Sequence, residues 1–316
     1  MGRKITGIGE TVLDIVFRND RPIAANPGGS TFNSMISLGR TVGRDFPDVQ
    51  VRMVTETGDD HVGSIITSFM QTNGVGTDSV THNSGSQTHI SLAFLNDSND
   101  THYQFYKEHS TSRLREEKLA GIGFAKDDLV LFGSYFAINP IIRDYTASLL
   151  QKASTSGAIL FYDVNFRESH LKELPQLIGS ILENCRMSDI VRGSADDFSM
   201  LFGTQDPERI YREHIRDLCP VLICTCGAAP MHIFTPEMHL QIPVPQVETV
   251  STIGAGDNFN AGLTYAFIAT DLRKDDILSI SEETWRDIAR TAVSFSAEVC
   301  GSMDNYVGKD FRPDLP

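Results

Sequence analysis

Residues 250–262 read Val-Ser-Thr-Ile-Gly-Ala-Gly-Asp-Asn-Phe-Asn-Ala-Gly, and the chemistry of this chain concentrates there. Gly254, Ala255 and Gly256 are small enough for backbone N–H groups to approach a ligand closely, and Phe259, Leu263, Ala266 and Phe267 follow at helical spacing. The run predicts a helix whose N-terminal end can hold an anion, with Asp257 in the first turn. An Asp at that place is commonly only a cap or a complement to the helix dipole. Beside small-residue backbone it gains a second reading. Phosphoryl transfer to an alcohol needs donors for the charge on the moving group and one acceptor for the alcohol proton. Because that transition state is loose, the alcohol loses its proton late, and a carboxylate of ordinary basicity is enough.

Three further clusters have side chains suited to hydroxyls or charge. Gly28-Gly29-Ser30-Thr31-Phe32-Asn33 leads into a helix carrying Phe32, Met35, Ile36 and Val42 on one face. Gly-Gly permits close backbone approach, and Asn33, one turn in, can donate to and accept from hydroxyls. Asp14 follows the first strand and, on its own, reads better as a turn residue. Asp163-Val164-Asn165-Phe166-Arg167 falls at the C-terminal end of an expected buried strand, where open α/β sheets bind their ligands. Continued alternation would put Asp163, Asn165 and Arg167 on one side; a structural salt bridge is the other reading of Arg167.

The elements that must position these groups alternate along the chain. Strand-like runs are expected at Ile5 to Ile8, Val51 to Val54, Leu129 to Phe132, Ile159 to Tyr162, Ile190 to Val191 and Val221 to Cys224. Helical stripes separate them, such as Val62, Ile65, Ile66, Phe69 and Met70, or Leu174, Leu177, Ile178, Ile181 and Leu182. Such alternation predicts a mostly parallel sheet covered on both faces. Two segments break it. Residues 88–107 read as a β-hairpin turning around Asn96 to Asp100, and 13–26 can pair with it to make a small sheet standing off the main one.

A chain of 316 residues with 41% hydrophobic and 22% charged residues has the composition of an ordinary globular protein. Its net charge of −14, with no Lys/Arg run, argues against a nucleic-acid partner. The N-terminal apolar stretch is too short and too broken by Gly for a membrane span or signal peptide, which gives a cytoplasmic expectation. Five cysteines and nine histidines show no metal-ligand spacing, and Cys224 and Cys226 read as core thiols. The Walker pattern is absent, and Gly7-Ile8-Gly9 lacks the third Gly of a dinucleotide fingerprint.

Thr252 through Asp257 resembles the C-terminal signature of the ribokinase-like (PfkB) sugar kinases, Asp-Thr-x-Gly-Ala-Gly-Asp. Gly28-Gly29 with Asn33, followed by Leu38-Gly39-Arg40, is similar to that family's N-terminal signature. The resemblance spans residues 5 to about 301. It implies a three-layer αβα sandwich around a mostly parallel sheet, in a single domain over 1–316 with a β-sheet lid from about 13–26 and 88–107. It implies Asp257 as catalytic base, the backbone of Gly254, Ala255 and Gly256 as anion hole, and Asp14, Gly28, Gly29, Asn33 and Arg167 as sugar-side contacts. On the nucleotide side it implies Thr225, Gly227 and Thr252. Asp60, in a Gly-x-Asp-x-x-Gly element, is read as structural. The Asp-x-Asn-x-Arg element at 163–167 is similar to that of fructokinases and 2-keto-3-deoxygluconate kinases.

The expected reaction is therefore ATP-dependent phosphorylation of a sugar, fructokinase-like, with ATP and Mg²⁺. Asp197 would tether the metal through water, where the family has Asn-x-x-Glu and this chain has Ser194 to Asp197. A monovalent cation stays open, because the opening Asp of the signature is Ser251; Pro230 likewise replaces a usual Gly beside the nucleotide. Ketodeoxygluconate kinase, ribokinase, nucleoside kinase and a non-catalytic sugar-binding homologue are the other readings of the same fold. A homodimer through the lid is compatible with the resemblance, with no membrane or nucleic-acid partner.

Overall fold

Alternate residues of the buried strands face two different cores, and this decides the layering. On Leu129–Gly133, for example, Leu129 and Leu131 belong to one apolar cluster and Val130 and Phe132 to the other. The computed structural model describes residues 2–95, 101–106, 114 and 119–314; the expected turn at Asn96 to Asp100 and the end of that hairpin at Lys107 lie outside them. The strands are Lys4–Ile8 (β1), Val12–Arg18 (β2), Arg21–Gly28 (β3), Gln50–Gly58 (β4), Val80–Asn83 (β5), Ile90–Leu95 (β6), Thr101–Tyr106 (β7), Leu129–Gly133 (β8), Ile159–Asp163 (β9), Ile190–Ser194 (β10), Val221–Cys226 (β11), Ala229–Thr235 (β12) and Met238–Ile242 (β13). The helices are Ser30–Asp45 (α1), His61–Thr72 (α2), Arg143–Thr155 (α3), Leu174–Met187 (α4), Ala195–Phe202 (α5), Pro207–Ile210 (α6), Ala255–Ala269 (α7) and Glu282–Cys300 (α8).

The large sheet runs β13-β12-β11-β10-β9-β8-β1-β4-β5, parallel from β5 through β11, with β12 and β13 added antiparallel at one edge. Helices α1, α2, α7 and α8 cover one face through Phe32, Met35, Ile66, Phe267, Trp285 and Phe295. Helices α3 to α6 cover the other through Leu149, Leu150, Ile181, Phe198 and Ile210. This is the expected αβα sandwich. Cys224 is buried in the second core, with Cys226 packed against it, and no metal-holding group of His, Cys, Asp or Glu occurs among the described residues. Pro230 sits where β12 shifts register against β11, a place where its missing N–H costs no ladder bond.

A second, four-stranded sheet has the order β3-β2-β6-β7. The hairpins β2-β3 and β6-β7 are antiparallel, and β2 joins β6 in parallel, Asp14 lying opposite Ser91. Asp14 thus belongs to the small sheet. Asp60 is the N-cap of α2, accepting from Gly63 N–H at 2.7 Å, and it also accepts from the Thr88 N–H and hydroxyl, each at 2.7 Å. The cap of one helix therefore anchors the start of the small sheet.

Candidate active site

Helix α7 begins at Gly254, whose φ of +78° is left-handed, a conformation that favours glycine. That turn aims the first N–H groups of α7 out of the helix. Ala255 N–H is taken by the Thr252 carbonyl at 3.3 Å; those of Gly256 and Asp257 have no backbone acceptor among the described residues, as is usual for first-turn N–H groups, which can bind an anion. Gly256 was expected to be small for the ligand's sake. The structure adds another reason: a Cβ there would lie 2.9 Å from Nη1, 3.0 Å from Nη2 and 3.4 Å from Cζ of Arg192.

Asp257 is only 8% exposed. Ser30 Oγ donates to its Oδ1 at 2.6 Å, Asn33 Nδ2 donates to its Oδ2 at 2.8 Å, and Ser34 Oγ donates to its main-chain carbonyl at 2.7 Å. Both carboxylate oxygens are thereby oriented from the first turns of α1. Burial holds the carboxyl above the usual carboxylate range; the bonds from Ser30 and Asn33 and the charges of Arg167 and Arg192 oppose that rise. An oriented carboxylate beside unpaired N–H groups can accept a proton from a hydroxyl attacking an anion held at the helix end.

The sugar-side residues gather around the same carboxylate. Gly28 closes β3 opposite Val12, and Gly29 is the N-cap residue of α1. Asn33 is buried, and its Oδ1 has no hydrogen-bond partner among the described residues. Asp14 accepts a short hydrogen bond from Ser91 Oγ. Its pKa is pushed up to about 6, chiefly by burial, against the Ser91 bond and with a further push from Asp257. Arg167 is exposed, makes no ion pair among the described residues, and its charge reaches Asp257.

The expected alternation through 163–167 fails, because β9 ends at Asp163. Asn165 turns into a left-handed conformation with φ +35°, and its Nδ2 donates to Ser30 Oγ at 2.7 Å and to Ser134 Oγ at 2.8 Å. Ser134, just past β8, has φ +53°. Asn165, in a sparsely populated backbone region, thus reaches the hydroxyl that holds Asp257, and Ser134, in the same region, accepts its second bond.

Asp163 points to a different partner. It is paired with Arg192 Nη1 at 3.0 Å and accepts from Asn260 Nδ2 at 2.8 Å. Sequence reasoning missed Ser30 and Arg192. Ser30 adjoins a Gly-Gly and carries a hydroxyl, which was a usable signal; Arg192 stands in a strand pattern with no local cue.

Of the residues expected on the nucleotide side, Thr225 is near the end of β11, Gly227 forms the β11-β12 turn at φ +61°, and Thr252 is exposed before α7. Thr225 Oγ1 accepts from Arg192 Nη2 at 2.8 Å, which ties it to the strand end. A cleft of about 620 Å³ opens between the end of β13 and α8, with Pro243, Pro245, Ala289, Val293 and Ala297 in its wall. Asp197 completes a capping box on α5, its Oδ2 accepting from Ser194 N–H and Oγ, each at 2.7 Å. Its Oδ1 accepts no hydrogen bond among the described residues, which fits a water-mediated hold on Mg²⁺. Ser251 Oγ instead accepts from Ile253 N–H at 3.2 Å. With no carboxylate in 250–256, that turn offers a monovalent cation no charged ligand.

Residues 4–308 match the family model described as pfkB family carbohydrate kinase. The chain belongs to this family. It is 26% identical over 292 residues to fructokinase-1 of Zea mays, covering 92% of this chain and 85% of that protein. It is also 26% identical to a fructokinase of Rhizobium leguminosarum bv. trifolii, covering 88% of this chain and 84% of the relative. Among solved structures, fructokinase from Vibrio cholerae O395 in a fructose-, ADP- and calcium-bound form superposes with a TM-score of 0.82 at 20% identity, covering 96% and 94% of the two chains. Aminoimidazole riboside kinase from Salmonella enterica gives 0.79 at 23% identity, covering 98% and 97%. This pfkB-family kinase is fructokinase-like in sequence and ribokinase-like in fold. Among the described residues, no helix is long and apolar enough to cross a membrane.

Proposed function

We propose that this kinase transfers the γ-phosphoryl group of ATP to a hydroxyl of a small sugar, with fructose the first substrate to test. The observation that carries the reading is the Asp257 carboxylate, fixed by Ser30 and Asn33 beside the open N–H groups at the start of α7. The sugar oxygen attacks the γ-phosphorus, the bond from that phosphorus to the β–γ bridging oxygen breaks, ADP leaves, and the sugar proton passes to Asp257. The N–H groups of Gly256 and Asp257 take the charge on the moving phosphoryl group.

Asp14, Gly28, Gly29, Asn33 and Arg167 line the sugar side, where the partnerless Oδ1 of buried Asn33 suits a sugar hydroxyl donor. Thr225, Gly227 and Thr252 face the nucleotide, and the cleft between β13 and α8 suits its base. Asp197 would hold Mg²⁺ through water, and the ion would supply neutralisation of phosphate charge. The whole chain acts as one domain, with the small sheet as a lid that excludes water. Its exposed β7 edge, carrying Phe105 and Tyr106, suits a second copy in a homodimer, and a cytoplasmic setting suits the substrates.

Fructose leads because the Zea mays and Rhizobium relatives are fructokinases and the Vibrio cholerae structure is a fructose- and ADP-bound form. The test is ADP formation with Mg²⁺ against a panel of ketoses, aldoses, 2-keto-3-deoxy sugar acids and nucleosides. Asp257→Asn is expected to lower kcat by about 10² to 10⁴ with sugar binding largely kept. Full activity in that variant would sink the proposal.

A further inference from the structure

Arg192 does not belong to the groups that contact sugar or nucleotide, yet it is among the most constrained side chains of the site. It stands on β10, in register with Asp163 on β9 and Ile223 on β11, and is 8% exposed. Nη1 donates to Asp163 and Nη2 to Thr225, which pins the guanidinium beneath α7. The three atoms nearest to a virtual Cβ on Gly256 are Nη1, Nη2 and Cζ, at 2.9 to 3.4 Å. The guanidinium therefore presents its Nη1–Nη2 edge to Gly256 of the anion-binding turn, and the Phe259 ring is 5.7 Å from Cζ.

We infer that Arg192 supplies the fixed positive charge on which the anion-binding end of α7 and the carboxylate of Asp257 both draw. This rests on the kinase reading above. The pairing is poorly made for a purely structural role, since Nε is buried without a partner among the described residues, and buried ion pairs bring little stability. It is well made for a constant charge, since a guanidinium stays protonated in proteins.

The surrounding charges make the need explicit. Asp257 is faced by Ser30 and Asn33 from α1, by Arg167 after β9, by Arg192 from β10, and by the carboxylates of Asp14 on β2 and Asp163 on β9. Arg192 in turn is faced by Asp163, Asp197 and Asp257, which together outweigh the burial that opposes its charge. Arg167 acts more strongly on Asp257 but is exposed; Arg192 is the buried cation within this carboxylate cluster among the described residues. It acts through Gly256 and Asp257, as a positioning residue.

Arg192→Met removes the charge and keeps the stem; Arg192→Lys keeps the charge at shorter reach. With Met, kcat is expected to fall on the order of 10², as for loss of one preorganised electrostatic contact. The acid limb of kcat/KM is expected to move up by about one unit while KM for the sugar stays within a few-fold. With Lys, the limb is expected at the parent position even though the melting temperature falls. A folded Met variant whose limb does not move overturns the inference. Should Met fail to fold, the Lys variant decides: a limb displaced by a unit or more despite the retained charge overturns it equally. A parent protein with no sugar-dependent ADP formation would remove the kinase reading itself, whereas an active parent with an unmoved limb in Arg192→Met removes only this inference.

Discussion

Ser30→Ala isolates the orientation of the base from its chemistry. Ser30 Oγ donates to Asp257 Oδ1 at 2.6 Å and, with Asn33, is one of the two side chains that hydrogen-bond this carboxylate. Burial raises the carboxyl and the Ser30 bond lowers it, so deleting the hydroxyl must raise it further. A hydrogen bond to a charged group is worth about 1.5–3 kcal/mol, and 1.36 kcal/mol corresponds to one pKa unit. The acid limb of kcat/KM should therefore move up by about 1–2 units. Below the new limb the variant should be about 10- to 100-fold slower than the parent, and on the alkaline plateau within a few-fold of it. Asn165 loses one of its two acceptors but keeps Ser134 Oγ, so stability should fall by only about 1 kcal/mol. The assay is ADP formation at low sugar from about pH 5 to 9, with thermal melts on the same samples and Ser30→Thr as the hydroxyl-restoring control. A folded Ser30→Ala protein with an unmoved acid limb would refute the assignment of Asp257 as the titrating base or of Ser30 as its holder.

Asp14 makes a stability prediction. Its folded pKa is raised to about 6, so ionising it destabilises the fold progressively as pH rises from the ordinary aspartate value of 3.8 through about 6. Asp14→Asn should melt higher than the parent at pH 8, by up to about 3 kcal/mol of stability, match it near pH 4, and bind sugar poorly; equal melting temperatures at pH 8 would contradict the assigned burial. Gly256→Ala would place its methyl 2.9 Å from Arg192 Nη1. Overpacking of that kind costs about 1–3 kcal/mol, read as a lowered melting temperature, and it should lower kcat more than KM because the turn itself is displaced.

The division between what was legible in sequence and what was not follows sequence separation. The helix after Gly254 could be read because Phe259, Leu263, Ala266 and Phe267 repeat at its own period, and the sandwich could be read because Leu129 to Phe132 and Ile159 to Tyr162 are apolar on both faces. Periodicity is a local property. Ser30 meets Asp257 across 227 residues, and Asn165 meets Ser30 across 135. No local pattern announces either meeting. The alternation rule also misled where it was extended past its domain: Asp163 ends β9, and Asn165 leaves the pleat at φ +35°, so the three polar residues of 163–167 diverge to Arg192, to Ser30 and Ser134, and to solvent.

That divergence explains how one short segment can serve both ends of the site. Asp163 fixes the guanidinium beside Gly256, which in the proposed mechanism sets the charge under the phosphoryl group. Asn165 fixes the hydroxyl on Asp257, which sets the direction of the proposed base. Had the segment remained extended, both side chains would have pointed to one side, and either the base or its counter-charge would have lost its holder. The strained backbone at Asn165 is thus the local cost of splitting two neighbouring polar groups between two tasks. It accounts for an Asn at a position that left-handed φ makes unfavourable to most side chains.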